Sequence, residues 1–186
     1  MIQSSTIENA ITDILLGIGE NPERPGLKDT PRRVAEMYRE LFSGVDCNPI
    51  EELAVGFEES YRDLVALRGI PFHSMCEHHL VPFFGTADVG YIPNGRVVGV
   101  SKIVRVLEIL AHRPQIQERL TTELAETLYC GLEATGVAVV LKAEHLCMSM
   151  RGVQKPGTQV VTSVVRGVFP QFSASENEIQ DLLQGF

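Results

Sequence analysis

Two short segments of the chain bring thiols and imidazoles together at spacings that suit a metal ion. Cys76 and His79 stand three positions apart in segment 76–79, a spacing at which one turn of chain can close on a zinc ion. His145 and Cys147 lie two positions apart in a β-like run, so we expect both side chains to leave the same face of a strand. A Cys-x2-His pair with one distant Cys supplies three protein ligands, and three ligands with an open fourth position are typical of catalytic zinc.

The spacing alone leaves three interpretations open. Cys76, His79 and Cys147 could hold a catalytic zinc ion, or His145 could join them as the fourth ligand of a closed structural site. In the third interpretation there is no metal, and the cysteines are small buried hydrophobic residues.

The remaining cysteines and two further histidines have no partner pattern. Four cysteines in all are too few and too scattered for a secreted disulfide scaffold. We therefore expect Cys47 and Cys130 to be core residues, and His73 and His112 to be incidental to the chemistry.

A second group of residues would suit an anion. Ser101 and Lys102 are predicted to open a helix, where a hydroxyl, an ammonium and free backbone N–H groups meet the positive end of the helix dipole. Arg105 follows one turn later on the same face. Arg151 closely follows the segment of Cys147 and Arg33 lies early in another predicted helix. Each cation taken alone is equally well explained as a solvated surface charge.

One polar pair could recognise a purine base. Gln117 and Glu118 lie in a polar patch of a predicted long helix. A carboxylate can accept both the N1–H and the exocyclic amino group of guanine, a pair of donors that adenine does not offer. From the residues alone, an exposed helix glutamate is the simpler interpretation.

The elements that must position these residues are predicted from periodicity and turn residues. Helical spacing over 4–18, a loop over 21–29 and a helix that starts at Thr30-Pro31 and stops at Gly44 give an N-terminal helical arm, residues 1–45. About 45 residues are too few for an independent core, so we expect the arm to form one structural unit with the domain of residues 46–186.

Beyond the arm the pattern predicts strands around a helical insert. Ser101 is expected to cap a helix beginning at Lys102, and a further helix is expected to open at Pro114 and to end at Gly136. The predicted strands are 64–73, 82–92, 96–100, 137–147 and 158–169. This order indicates an α+β fold with a mainly antiparallel sheet.

Composition and charge exclude several classes of protein. The net charge of −8 argues against a nucleic-acid or anionic-membrane partner, although a small anion could still bind where Arg and Lys are concentrated locally. No export signal and no apolar run of about 20 residues is visible, so we expect a cytoplasmic protein.

Taken together, the segments resemble the GTP cyclohydrolase I family over roughly residues 20–170. The resemblance is carried by Arg24-Pro25-Gly26-Leu27, Asp29-Thr30-Pro31-Arg32-Arg33-Val34, Ser74-Met75-Cys76-Glu77-His78-His79, Tyr91-Ile92-Pro93-Asn94-Gly95, Val100-Ser101-Lys102-Ile103, Arg113-Pro114-Gln115-Ile116-Gln117-Glu118-Arg119-Leu120-Thr121, His145-Leu146-Cys147-Met148 and Met150-Arg151-Gly152-Val153. Each piece alone is weak, but the combination is highly specific.

The resemblance implies a set of roles. Zinc would be bound by Cys76, His79 and Cys147, with a water or substrate oxygen in the fourth position, and His78 and His145 would act as acid–base groups. The substrate contacts that it implies are triphosphate binding by Ser101, Lys102, Arg105 and Arg151, with Arg33 from a neighbouring subunit, and guanine recognition by Gln117 and Glu118.

The resemblance also implies a reaction and an assembly. GTP would be opened at its imidazole ring, lose formate and rearrange to 7,8-dihydroneopterin triphosphate, the first step of folate and pterin biosynthesis. The family has a tunnelling fold, an antiparallel sheet with long helices packed on one face, and forms a toroidal homodecamer with active sites at subunit boundaries. The alternatives are a GTP ring-opening hydrolase that feeds a deazaguanine pathway and a non-catalytic paralogue that binds zinc or GTP.

Some positions depart from the family pattern. Relatives commonly carry Lys and His where Thr86 and Asp88 stand, and Lys and Thr where Gln159 and Val160 stand. His73 replaces an aromatic or small residue. The departures remove no proposed ligand or catalytic group, and they concern substrate affinity and assembly contacts.

Overall fold

The structure is a computed structural model, and it describes residues 2–169. Residue 1 and residues 170–186, which belong to the predicted segments 1–45 and 46–186, lie outside the described residues. The helices are α1 (Ser4–Gly17), α2 (Thr30–Leu41), α3 (Val100–Ala111), α4 (Gln117–Leu132), α5 (Leu146–Ser149) and a short 3-10 helix (Pro49–Leu53). The strands are β1 (Phe57–Glu58), β2 (Val65–Cys76), β3 (Pro82–Ile92), β4 (Arg96–Val97), β5 (Pro114–Gln115), β6 (Gly136–His145) and β7 (Gln159–Gly167).

The main sheet has five strands in the order β5-β2-β3-β6-β7. The pairs β2–β3, β3–β6 and β6–β7 are antiparallel, whereas β5 pairs with the end of β2 in the parallel sense over two residues. β1 and β4 form a separate antiparallel pair. The predicted α+β class is therefore confirmed, and the sheet is mixed because of the short β5.

The core lies between the sheet and the helices α3 and α4. Both helices contact the sheet, α3 through β2 and α4 through β6 and β7. The buried residues on this side include Ile103, Val106, Leu107 and Leu110 of α3, Leu120, Leu124, Leu128 and Leu132 of α4, and Val137, Val139, Leu141 and Ala143 of β6. The alternate residues of β6, Ala138 and Val140, pack with Ile92 and Phe169 in a smaller cluster. Successive residues of a strand point to opposite faces, so β6 is buried on both.

The two helices of the arm begin where predicted, but the second ends earlier. α1 packs against α2, and Pro31 occupies the first turn of α2. The stop at Gly44 was wrong, since α2 ends at Leu41. Gly44 is instead a point of close approach: its N–H donates to the carbonyl of His112 at 3.0 Å, and a Cβ there would lie 1.9 Å from the carbonyl oxygen of Ile109. Only glycine fits where the arm meets the end of α3.

Three predicted boundaries in the helical insert also differ. α3 is capped by Gly99 rather than by Ser101, whose side chain makes no capping bond. Pro114 opens no helix, because it pairs with β2 and α4 starts only at Gln117. α4 ends at Leu132, where the next residue adopts a left-handed conformation.

An irregularity in β2 accounts for one departure from the family pattern. The register of β2 against β3 shifts between Leu67 and Ile70, and Gly69 there has a φ of +65°. The Asp88 carboxylate, buried in the adjacent strand, accepts the N–H of Gly69 at 2.7 Å. Asp88 therefore holds a β-bulge in place. The structure offers no account of Thr86 or Gln159.

Within the described part of the chain, no helix is long and apolar enough to cross a membrane.

Candidate metal centre and active site

The predicted ligands come together in the structure. One ligand atom from each of Cys76, His79 and Cys147 lies within 4.8 Å of the others. Cys76 ends β2, and its carbonyl accepts the N–H of Leu80 at 2.8 Å and that of His79 at 3.4 Å. The chain therefore turns tightly between β2 and β3, and this turn presents the thiol and the imidazole on one side. Two thiols and an imidazole are a donor set that suits zinc.

The third ligand, Cys147, lies in a different secondary-structure element from the one predicted. His145 and Cys147 do not share a strand face, because β6 ends at His145 and Cys147 lies in α5. The change from strand to helix turns Cys147 toward Cys76. His145 is not part of the metal cluster found among residues 2–169, and its Nε2 instead lies 2.8 Å from Oε1 of Gln117. The geometry thus disfavours the closed four-ligand site.

The surroundings of Cys147 favour its neutral thiol. Burial raises the pKa of the Cys147 thiol, and the neighbouring Cys76 thiol raises it further. Two thiols held together in this way would release protons on binding a metal, because the thiolate is the ligand. The guanidinium of Arg151 lies 3.2 Å from Nε2 of His79, which brings one of the predicted phosphate-binding cations to the edge of the cluster.

An ion pair missed by the sequence analysis fixes the metal turn to α4. Arg119 donates two hydrogen bonds to the carboxylate of Glu77, at 2.6 and 3.1 Å, and lowers the pKa of that carboxyl. The N–H of Glu77 also donates to the carbonyl of Gln115 at 2.9 Å. Glu77 and Arg119 both lie in segments that carry the family resemblance, but their pairing across 42 positions gave no local signal.

The two predicted acid–base histidines have different surroundings. The His78 side chain is 65% exposed, with Nδ1 3.9 Å from Sγ of Cys76. The His145 ring stacks on Phe83 with centroids 4.6 Å apart and planes 5° apart, and burial lowers its pKa. His78 is therefore accessible at the cluster, whereas His145 is held by neighbours.

The predicted base-recognition pair divides between the interior and the surface. Gln117 is fully buried, and its side chain bonds to β6, β7 and His145. Glu118 lines a pocket of about 270 Å³ with four hydroxyl residues and one apolar residue, namely Thr121, Thr122, Thr162, Ser163 and Val164. The pocket is of a size to take part of a small ligand.

The predicted phosphate-binding residues on α3 lie away from the metal cluster. The start of α3, with Lys102, is separated by about 14 Å of helix from Ala111, whose carbonyl accepts the hydroxyl of Ser74 beside the metal turn. The structure therefore does not bring Ser101, Lys102 and Arg105 together with the metal cluster. Arg33 also lies apart, exposed in the arm and paired with Asp29 at 3.5 Å.

A carboxylate that the sequence analysis missed faces these cations. Glu52 lies 2.9 Å from Nζ of Lys102 and 3.6 Å from Nη1 of Arg105, and its bond to Lys102 lowers the pKa of the carboxyl. Glu52 belongs to the 3-10 helix, which Arg96 anchors by hydrogen bonds to the carbonyls of Leu53 and Ala54. A separation of 50 positions left no local pattern from which this pairing could be found.

Comparison with known proteins shows similarity over almost the whole chain. Residues 7–184 match the family described as GTP cyclohydrolase I. A relative named GTP cyclohydrolase 1 from Dehalococcoides mccartyi (strain ATCC BAA-2266 / KCTC 15142 / 195) is 54% identical over 186 residues, which is 99% of this chain and 98% of that protein. Proteins of the same name from Halalkalibacterium halodurans and Bacillus pumilus are 52% and 50% identical, over 99% and 98% of this chain and 98% and 97% of their own.

Among solved structures, the apo form of the archaeosine synthase QueF-Like aligns with a TM-score of 0.44 and 21% identity, over 58% of this chain and 97% of that chain. This likeness is too weak to support a conclusion about the fold. The sequence relatives, by contrast, extend through the helical arm and the sheet alike.

Proposed function

The chain belongs to the GTP cyclohydrolase I family and is an enzyme of that type, and we propose that it opens the imidazole ring of GTP at a zinc ion held by Cys76, His79 and Cys147. The observation that carries the proposal is the convergence of these three donors within 4.8 Å. Three protein ligands leave a fourth position for water or substrate. Zinc, when bound, would lower the pKa of a coordinated water to about 7 and so supply hydroxide at neutral pH.

We assign the proton transfers to His78 and His145. Water adds at C8 of the purine while an imidazole protonates N7, and the ring opens between C8 and N9. A second water releases C8 as formate. The ribose rearranges to an open-chain ketone that condenses with the diamine and loses one water. One water is thus consumed in total, and the products are formate and 7,8-dihydroneopterin triphosphate, the entry to folate and pterin synthesis.

We place guanine recognition on Glu118. Its carboxylate lies at the hydroxyl-lined pocket and can accept the two donors that distinguish guanine from adenine. A contact from the Gln117 side chain, which the family resemblance implies, would require that side chain to exchange the bonds it makes inside the chain.

We further propose that the triphosphate site is completed by other copies of the chain. Arg151 lies at the metal cluster, whereas Ser101, Lys102 and Arg105 lie at the far end of α3. A neighbouring copy of the chain would supply the three residues of α3, and the helical arm of a neighbouring subunit would supply Arg33. A site that is shared in this way requires a homo-oligomer.

The edges of the sheet support such an assembly. Within residues 2–169, β7 has no partner on its outer side, and β5 covers only two residues of β2. Long open edges are templates for pairing with further strands. Joining these edges in a closed ring would suit the tunnelling fold and the toroidal decamer that the family resemblance implies.

Incubation with GTP tests the proposal. The zinc-loaded protein should release formate and a product that becomes a fluorescent pterin on oxidation, with the mass of 7,8-dihydroneopterin triphosphate. His78→Ala should abolish pterin formation while the zinc content stays near one per chain, as measured by elemental analysis. Folded, zinc-loaded protein that leaves GTP intact would refute the proposed function.

A product that retains the ribose without closing a pterin would identify the ring-opening hydrolase instead. GTP binding without turnover would identify the non-catalytic paralogue.

A further inference from the structure

Gln117 has a second task that the family resemblance did not suggest. We infer that Gln117 is a positioning residue that fixes His145 as the Nε2–H tautomer, so that His145 takes up and returns protons through Nδ1. The inference rests on the acid–base role proposed above for His145, and it is carried by the hydrogen bonds around one buried amide.

The orientation of the Gln117 amide is determined by its acceptors. One terminal atom lies 3.1 Å from the carbonyl oxygen of Leu141, 3.0 Å from that of Val160 and 3.1 Å from the hydroxyl of Thr162. Carbonyl oxygens only accept, so this atom must be the NH2 group. The reversed amide would set an oxygen against two carbonyl oxygens in a site with no exposed surface, where water cannot compensate.

The neighbouring hydroxyls agree with this orientation. Thr121 donates to the carbonyl of Gln117 at 2.7 Å, so its oxygen is left to accept. Thr162, 2.6 Å away, donates to Thr121 and keeps a lone pair for the Gln117 NH2 group. Every donor in this network has an acceptor, whereas the reversed amide would lose both of its bonds to the carbonyl oxygens of Leu141 and Val160.

The tautomer of His145 follows from the other end of the amide. Oε1 of Gln117 lies 2.8 Å from Nε2 of His145 and can only accept. Nε2 must therefore carry the hydrogen. Phe83, the direct cross-strand partner of His145, stacks on the ring and fixes its plane.

The remaining ring nitrogen is the one available for chemistry. Within residues 2–169, Nδ1 of His145 makes no hydrogen bond. Oε1 of Gln117 can accept from Nε2 whether the imidazole is neutral or protonated, so a proton can arrive at Nδ1 and leave again without rotation of the ring. Gln117 thus acts on the reaction through His145, and its loss should affect turnover rather than base recognition.

Neutron diffraction from deuterated wild-type crystals at about pH 8.5, where an unperturbed imidazole is neutral, tests the assignment directly. We expect deuterons on Nε2 of His145 and on the Gln117 atom that faces Leu141 and Val160. A deuteron on Nδ1 with a bare Nε2, or a reversed amide, would overturn the inference.

Kinetics with Gln117→Met separate positioning from base recognition. We expect kcat to fall by about ten- to a hundredfold, within the range that acid–base catalysis contributes, while KM for GTP changes by less than about twofold. A raised KM with an unchanged kcat would instead indicate that Gln117 binds the guanine base, and it would contradict the inference.

Gln115→Met is the matched control. Gln115 is likewise buried, 1% exposed, and donates to Leu110 and Glu123. In spectra of 15N-histidine-labelled protein, Gln115→Met should keep the wild-type Nε2–H signature of His145, whereas Gln117→Met should show a mixture of tautomers. If the His145 signature changed equally in both variants, loss of any buried amide would explain the change, and the inference would be contradicted.

The diffraction and histidine-label readouts do not depend on the proposed function. If wild-type protein leaves GTP intact, the proposed function fails while the tautomer is still observed by diffraction. If wild-type protein forms the pterin and the deuteron lies on Nδ1, only the inference about Gln117 fails.

Discussion

A mixture of two inactive variants distinguishes an active site contained in one chain from one that is shared between copies. His78→Ala removes the exposed imidazole beside the metal cluster, and Lys102→Ala removes the ammonium at the other end of α3. Lys102 lies about 14 Å along α3 from Ala111, whose carbonyl accepts the hydroxyl of Ser74 beside the metal turn. We expect each variant alone to form almost no pterin.

The expected activity of the mixture follows from how a shared site is assembled. If the metal half and the α3 half of each site come from different chains, random pairing of equal amounts leaves about one quarter of the sites with both halves intact. If both halves come from one chain, every site keeps one lesion and none is active. The two arrangements therefore predict about 25% and about 0% of wild-type turnover.

The assay uses oligomers that contain both variants. The two chains, carrying different affinity tags, are co-expressed and purified over both tags, and pterin fluorescence is compared with that of wild-type protein at equal zinc content. Activity no greater than the sum of the separate variants would refute the shared site. Oligomers that carry both lesions in the same chain, mixed with wild-type chains, control for the effect of mixing itself.

Three further predictions concern the metal, the α3 cations and His112 at the end of α3. Cys147→Ser should lose zinc by elemental analysis and lose pterin formation, and chelation of wild-type zinc should lower the Tm, because a ligand that binds only the folded state stabilises it by about 2.7 kcal/mol at a hundredfold excess over Kd. Retention of stoichiometric zinc by the variant would contradict the ligand assignment. Glu52→Gln should lower KM for GTP and make it more sensitive to salt, because the carboxylate that now neutralises Lys102 is removed; a raised KM would instead assign Glu52 a positioning role. Burial, with help from His73, lowers the pKa of His112, so protonation favours the unfolded chain, and the stability that this group contributes is present above about pH 6.5 and lost as the pH falls below it. His112→Asn should therefore flatten the fall in unfolding free energy between about pH 7 and pH 5 in urea titrations, and an unchanged slope would contradict the assignment.

The sequence predicted best those features that depend on neighbours in the chain. The spacing of Cys76 and His79 indicated that both could bind one metal ion, and the hairpin turn that follows β2 brings the two side chains together. The turn residues likewise located α3 and α4, although α3 starts at Val100 and α4 at Gln117 rather than at Lys102 and Pro114.

Features that depend on distant residues escaped prediction. Nothing around Cys147 signals that β6 gives way to a single helical turn, because four residues carry too little periodicity to distinguish helix from strand. Gln117 was interpreted as a base-recognition residue, and its bonds to β6 and β7 could not be known before those strands were placed beside α4. Glu52 lies outside every segment that carried the family resemblance, so its pairing with Lys102 emerged only from the fold.

The first turn of α4 carries three consecutive side chains with three separate destinations. Gln117 contacts His145, the proposed acid–base residue, Glu118 lines the pocket, and Arg119 bonds to Glu77 in the turn that follows Cys76. Successive helical residues are about 100° apart, so the insertion or deletion of one residue here would rotate all three away together. A point substitution removes one of these three contacts, whereas the insertion or deletion of a single residue displaces all three. This turn should therefore tolerate changes of side chain better than any change of length.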